Sequence, residues 1–249
     1  MRASLRLALR ERLDQGLAQL GDPLAAPLAE PNGTSLGHAA AELSDAQRNA
    51  LLDYIDLLAH WNSRYNLTAV RDPLEMIGRH LLDSLAALGA FDASPVLDFG
   101  TGAGLPGIPL AIARPELQFV LLDSIGKKTR FVRQAAASLE LGNVCVVQAR
   151  FESYQPEQKF ATITARALAP LDALWSSSAH LRQPDGVLLA YKGRRPDDEI
   201  AALSAIGAKT GTTAEATTGT TMGARVTVTR LEVPFVPGER HLIRIDGSP

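Results

Sequence analysis

With 249 residues, 46% of them hydrophobic, the chain is long enough for one sizeable α/β domain plus an appendage. A formal net charge of −2 argues against a large uniform nucleic-acid footprint, and no apolar run approaches the ~18 residues of a membrane span. The N-terminus alternates Leu with Arg and lacks the apolar stretch of a secretory signal. The single cysteine, Cys145, excludes an intrachain disulfide framework and has no His partners at metal-ligand spacing. It reads as a buried structural thiol, and the expected setting is cytoplasmic, with no metal and no membrane partner.

Taken in chain order, residues 1–20 read as an amphipathic helix, with Arg2, Arg6 and Arg10 on one stripe and Leu5, Leu9 and Leu13 on an adjacent face. Gly21 to Ala40 is rich in Pro, Gly and Ala and reads as a linker or mobile loop. Ser44 with Gln47 starts a helix that continues through Leu51, Leu52, Ile55, Leu58 and Ala59. Asp72-Pro73 opens another, through Met76, Ile77, His80, Leu81, Ser84 and Leu85. Short β-rich runs at 95–99, 118–122, 144–148, 160–165 and 187–191 then alternate with helical stretches at 106–114, 125–141, 170–182 and 197–206. Such alternation means βαβ units and a mostly parallel sheet. The stretch 207–224 reads as a flexible connection or irregular strand. Residues 225–231 and 241–245 are two strands joined by the loop Pro234 to Gly238, and they should pair antiparallel. Three regions are expected: an extension and linker over 1–40, a helical region over 41–90, and a Rossmann-like domain over 91–249.

The most informative segment is Asp98-Phe99-Gly100-Thr101-Gly102-Ala103-Gly104-Leu105-Pro106-Gly107. It lies between the apolar runs Pro95-Val96-Leu97 and Ile108 to Ala113, so it is a strand, a glycine-rich turn and a helix start. Four glycines so close together cost too much backbone entropy to be a casual loop. Asp123 closes the next apolar run, Phe119 to Leu122, at roughly the 20-residue offset of a ribose-binding carboxylate; a plain helix N-cap is the other reading. The site is expected to hold an adenosine-bearing cofactor. Gly102-x-Gly104-x-x-Gly107 satisfies a dinucleotide fingerprint. Asp98-x-Gly100-x-Gly102-x-Gly104 resembles instead motif I of the S-adenosylmethionine-dependent methyltransferases. A carboxylate there suits a ligand carrying an ammonium and a sulfonium, and would repel a pyrophosphate. The antiparallel tail also resembles the class I S-adenosylmethionine-dependent methyltransferase fold, and that is the expected architecture.

Several segments are similar to the bacterial 16S rRNA guanine-N7 methyltransferase G family, also called glucose-inhibited division protein B. They are His60 through Val70, His80 through Leu85, Gly100 through Pro109, Leu121 through Lys128, Phe131 through Gln134, Thr164 through Ala167, and Tyr191-Lys192-Gly193. The resemblance runs from about residue 44 to the C-terminus. It implies methylation of N7 of a single guanine in the 530 loop of 16S rRNA, with S-adenosyl-L-methionine as cofactor and 16S rRNA or the small ribosomal subunit as partner. It also implies that Gly100, Leu105, Phe151, Glu152 and Arg166 contact the cofactor, beside Asp98, Gly102, Gly104 and Asp123 from the motif itself. Phe151-Glu152 follows run 144–148, where an aromatic face and a carboxylate suit an adenine ring; Phe151 as a core aromatic capping the sheet is the alternative.

Guanine N7 has an in-plane lone pair and no proton, so its alkylation asks for positioning and exclusion of water, and no general base is expected. Arg166, Asn66, His80 and Lys192 are candidates for positioning the substrate, and Thr68 for reading the base. Trp61 and Tyr65, at i and i+4, either stack on an unpaired base or bolt an N-terminal helix to the sheet. Lys127, Lys128, Arg130 and Arg133 form a basic cluster, Arg194-Arg195 another, and the N-terminal arginines a third; each is a solvated face or part of a phosphate-binding surface. Competing functions are a methyltransferase acting on another RNA or a small molecule, a nicotinamide-linked oxidoreductase, and a non-catalytic ribosome-assembly factor. A monomer is expected.

Overall fold

The computed structural model describes residues 3–21, 36–209, 220–221 and 224–247. Among them the β-rich runs form strands β1 (Val96–Phe99), β2 (Phe119–Asp123), β3 (Val144–Gln148), β4 (Phe160–Arg166), β5 (Arg182–Lys192), β6 (Thr220–Thr221), β7 (Ala224–Arg230) and β8 (His241–Asp246). They make one sheet in the order β3-β2-β1-β4-β5-β8-β7-β6. β1 to β5 pair parallel, with Val96 opposite both Phe119 and Thr162. The tail pairs antiparallel, with Ala190 opposite Ile243 and Val228 opposite Ile243. From β1 the chain winds outward through β2 and β3, then returns to the other side for β4 and β5. The reversal leaves a crevice at the C-terminal ends of β1 and β4, where open α/β sheets bind ligands.

The helices cover both faces: α1 (Ala3–Leu20), α2 (Asp45–Tyr65), α3 (residues 73–85), α4 (Gly107–Ala113), α5 (Gly126–Ser138), α6 (Leu171–Ser177) and α7 (Asp197–Lys209). One apolar core joins α1, α2, α3, α4 and α5 to the sheet, and a second lies under α6 and α7 on the opposite face. All four β1 residues are buried, as expected for a strand covered on both sides. α2 begins with a capping box: Gln47 N–H donates to Ser44 Oγ at 3.3 Å, and Ser44 N–H to Gln47 Oε1 at 2.9 Å. The Gln47 amide also donates to the carbonyls of Ile112 (3.0 Å) and Ala113 (3.2 Å), so one side chain caps α2 and ties it to the end of α4. Asp72 caps α3 through Leu74 N–H at 3.0 Å, and the rod passes through a π-helical stretch, Ile77–Leu82.

The N-terminal arginine stripe is occupied within the protein. Arg6 meets Asp53 at 2.7 Å, while Arg10 binds Asp14 at 2.7 Å and also Asp45. Asp53 and Asp45 tie α1 to α2 at the surface, while the fully buried Leu9, Leu13 and Leu17 anchor α1 in the core. Exposed pairs of this kind add little stability; leucine burial does most of the holding. Arg2 lies outside the described residues. Within the expected linker, residues 22–35 also lie outside them, but Leu36 and Ala40 are buried and Leu36 accepts a bond from Gly89 N–H at 2.7 Å. The end of that stretch is core, not loose connection.

Three further expectations change. The helix at 170–182 stops at Ser177, because the Ser177 and Ser178 hydroxyls turn back onto the carbonyls of Leu174 and Trp175, and the chain then enters β5 at Arg182. Cys145 is exposed and not buried, because β3 is the edge strand of the sheet. Of the stretch 207–224, α7 runs to Lys209 and Thr220–Thr221 is a strand, while 210–219 and 222–223 lie outside the described residues. No described helix is long and apolar enough to cross a membrane, and the described residues hold no metal-ligating cluster.

Candidate cofactor cleft

Everything at the crevice depends on the turn after β1. Gly100, Gly102 and Gly104 have φ of +72°, +60° and +86°, a region costly for side-chain-bearing residues. Gly107 is needed for space: a Cβ there would lie 2.2 Å from Leu121 Cδ2 and 2.6 Å from Asp98 Oδ2. Gly107→Ala is therefore expected to destabilise the protein by about 2 kcal/mol, seen as a lower urea midpoint. An unchanged midpoint would mean that Leu121 can move aside without cost.

Asp98 is fully buried beneath this turn. Its Oδ2 accepts from Thr101 Oγ1 at 2.6 Å and from Gly107 N–H at 2.9 Å, while Oδ1 has no hydrogen-bond partner. Burial raises its pKa from 3.8 to about 6, against the lowering pull of those two bonds and of Arg166. Asp98 and Gly104 shape the loop from behind and do not line the cleft. The α2 helix supports the loop from the other side, where Tyr54 OH donates to Ala103 O at 2.8 Å.

The cleft itself has a volume of about 400 Å³ and is walled by the ends of four parallel strands. β1 contributes Phe99 and the loop Gly100, Thr101, Gly102, Ala103 and Leu105. β2 contributes Asp123, whose Oδ2 accepts from Gly102 N–H at 3.0 Å and whose Oδ1 accepts from Ile125 N–H at 2.8 Å. Asp123 therefore lines the cleft and ties the two loops together, while the N-cap of α5 is Ile125 and not Asp123. Beyond β3 come Ala149, Arg150, Phe151 and Glu152, and Phe151 packs edge-on against Phe99 at 4.6 Å between centroids. Phe151 is therefore both sheet cap and cleft wall. β4 supplies Arg166, Ala167 and Leu168.

Opposite the strand ends, the wall is made by Leu67, Thr68 and His80 from the α2–α3 region. His80 is buried, and Thr68 Oγ1 lies 3.0 Å from its Nε2. Burial, helped by the positive charge of Arg166, lowers the His80 pKa to about 4, so the ring is neutral at physiological pH. Arg166 donates to Asp83 Oδ2 at 2.7 Å, and the other Asp83 oxygen accepts from Arg240 Nε at 3.0 Å. Asp83 and Arg240 were not singled out by the sequence reading. An acid interrupting the apolar stripe of α3 was the available signal.

Two positioning candidates lie elsewhere. Lys192 does not face the cleft: it donates to Glu199 Oε2 at 2.7 Å and to Ala169 O at 3.0 Å, holding α7 to the end of β5. Asn66 is the left-handed C-cap of α2 (φ 47°), and its side chain accepts from Arg71 at 2.9 Å, outside the cleft. Trp61 acts as the bolt, 5.6 Å from the Phe131 ring of α5 and 5.2 Å from that of Tyr65.

The residues present fit an adenosyl ligand. Bare glycine backbone, the carboxylate of Asp123 and the aromatic face of Phe151 meet in a cavity of the size used for small cofactors. Comparison with known proteins agrees. A family model described as rRNA small subunit methyltransferase G matches residues 47–226. The chain is 44% identical over 214 residues to the ribosomal RNA small subunit methyltransferase G of Yersinia enterocolitica, covering 86% of this chain and 96% of that one. It is 47% identical over 207 residues to the protein of the same name from Xanthomonas euvesicatoria, covering 83% of this chain and 90% of that one. Among solved structures, a SAM-dependent methyltransferase from Aquifex aeolicus matches with a TM-score of 0.50 at 17% identity, over 72% of this chain and 96% of the other, a likeness of fold alone. With its parallel sheet, antiparallel tail and glycine loop, the chain has the class I methyltransferase fold and belongs to the rRNA small subunit methyltransferase G family.

Proposed function

We propose that the protein transfers a methyl group from S-adenosyl-L-methionine to N7 of a guanine in the 530 loop of 16S rRNA. The observation that carries this reading is the convergence of the glycine loop, Asp123 and Phe151-Glu152 on one cleft in a chain of this family. Gly100, Gly102 and Leu105 would hold the cofactor by close backbone approach and apolar contact. Asp123 would accept from the ribose hydroxyls, and Glu152 from the adenine amine beside the Phe151 ring.

Bound there, the cofactor supplies a methyl group on a sulfonium, and guanine N7 attacks with its own lone pair. No residue has to remove a proton. Positive charge builds on the purine as it is alkylated, so a bare cation beside it would be unfavourable. Arg166 is not bare: Asp83, shared with Arg240, partly offsets its charge and fixes its direction. Leu67, Leu105 and Phe151 keep the wall apolar, and Ile125 (43% exposed) and Leu168 (44% exposed) offer apolar surface at the mouth for bound groups to cover. Asp98 stabilises the loop that presents these groups.

The test is transfer from labelled S-adenosylmethionine to 16S rRNA and to small subunits taken from a strain lacking the enzyme, with the modified base mapped. Label as 7-methylguanine at one position in the 530 loop is expected. Cofactor binding without label in the RNA would leave the fold standing and overturn the substrate.

A further inference from the structure

The sequence offers three basic clusters, and the structure treats them differently. In the N-terminal stripe, Arg6 and Arg10 are matched by Asp53, Asp14 and Asp45. At the end of β5, Arg195 pairs with Asp197, so one of the two arginines there is compensated. The third cluster splits along α5. Lys127 donates to the Tyr65 carbonyl at 3.0 Å, and Lys128 turns toward Asp123 at 3.7 Å. Arg130 and Arg133, with Gln134 and Gln148, line an open groove together with Gly126 and Ala137.

No carboxylate lines this groove. Arg130 has no counter-ion among the described residues, and Arg133 gives only a long bond, 3.4 Å, to the Val146 carbonyl. Thr129 Oγ1 lies 3.2 Å from the Gly126 carbonyl and 3.3 Å from Gln148 Oε1, and its single proton is shared between them, while no hydrogen-bond partner of the Gln148 NH₂ is found among the described residues. The Gln148 nitrogen lies across Gly126, where a Cβ would approach it to 3.1 Å. Two guanidinium groups and an oriented amide donor therefore face one space, a set suited to an anion with several acceptor oxygens. The groove also adjoins the cleft: its Gly126 and Gln148 are chain neighbours of Ile125 and Ala149, which line the cleft wall.

We propose that this groove seats backbone phosphates of the RNA strand that flanks the reacting base, with Arg130 and Arg133 as the phosphate-binding residues. The proposal rests on the RNA-methylating reading for its ligand. Phosphate contacts set register without reading sequence, so the groove would hold the strand while the cleft receives one base. With net charge −2 the protein has no general attraction for RNA, so binding has to come from local basic surface such as this pair of arginines.

The experiment measures binding of unmodified 16S rRNA and small subunits over a salt series for wild type, the Arg130→Glu/Arg133→Glu double variant and the Arg130→Lys/Arg133→Lys double variant. The Glu variant is expected to lose about tenfold or more in affinity, and its log–log salt slope to shrink by about 1.4 to 1.8, the worth of two phosphate contacts. The Lys variant should keep most of the slope. S-adenosylhomocysteine affinity and the thermal midpoint should stay at wild-type values in both, since neither arginine lines the cleft. RNA affinity and slope unchanged in the Glu variant, or no RNA binding by wild type, would overturn the proposal. RNA bound by wild type through a slope that the Glu variant loses, but never methylated, would overturn the proposed activity and leave the groove as an RNA site.

Discussion

Asp123→Ala is expected to weaken binding of S-adenosylhomocysteine about 100-fold, measured by titration calorimetry. The carboxylate lines the cleft and holds Gly102 N–H at 3.0 Å and Ile125 N–H at 2.8 Å. Its removal takes away two charge-assisted bonds that hold the loop presenting the bare backbone, together with the carboxylate proposed to meet the ribose. Bonds to a charged group contribute about 1.5–3 kcal/mol each, and about 3 kcal/mol in all corresponds to roughly 100-fold. Asp123→Asn separates the two effects, because it retains one carbonyl acceptor for the turn and loses the charge. An Ala variant within about threefold of wild type would reduce Asp123 to a turn cap. Lys128, 3.7 Å away, would then have lost a partner without consequence for the ligand.

The loop and the strands were legible because their signals are local. Three glycines at positive φ, an acid before them and an acid at the end of the next strand are properties of short segments, and no distant residue had to be known. The alternation of apolar runs with helical stretches likewise fixes parallel pairing before any coordinate is seen. Cys145 shows where this stops. The run Val144 to Val147 is as apolar as a central strand, yet it forms the sheet edge, because strand order depends on which crossover goes which way.

Charge was left undecided for the same reason. Arg6 finds Asp53 across 47 residues, and Arg166 finds Asp83 across 83. A basic stripe looks identical in sequence whether it faces phosphate or its own carboxylates. Lys192 differs only in range: Glu199 is seven residues away, but it sits on a helix whose packing over the strand end had to be seen. Asp98 was identified as important from its spacing alone, and its place beneath the loop became clear only from the bonds to Thr101 and Gly107.

Those two buried groups, Asp98 and His80, should make stability depend on pH in opposite directions. Asp98 titrates at about 6 in the folded protein against 3.8 ordinarily. Between these values the folded state binds more protons than the unfolded chain, so this contribution is complete below pH 3.8 and is lost as pH rises through 6. His80 titrates at about 4 against 6.5. Its contribution is complete above pH 6.5 and is lost as pH falls through 4. Each shift corresponds to about 3 kcal/mol, and the windows overlap, so in wild type the two largely cancel. Asp98→Asn is expected to expose the histidine: relative to wild type, its stability should fall by about 3 kcal/mol on going from pH 6.5 to 4. His80→Gln should do the reverse and gain on the wild type over the same acidification. Urea midpoints across that range decide it, because the differences from wild type remove the background of surface carboxylates. Curves for both variants running parallel to wild type would mean that burial perturbs neither group.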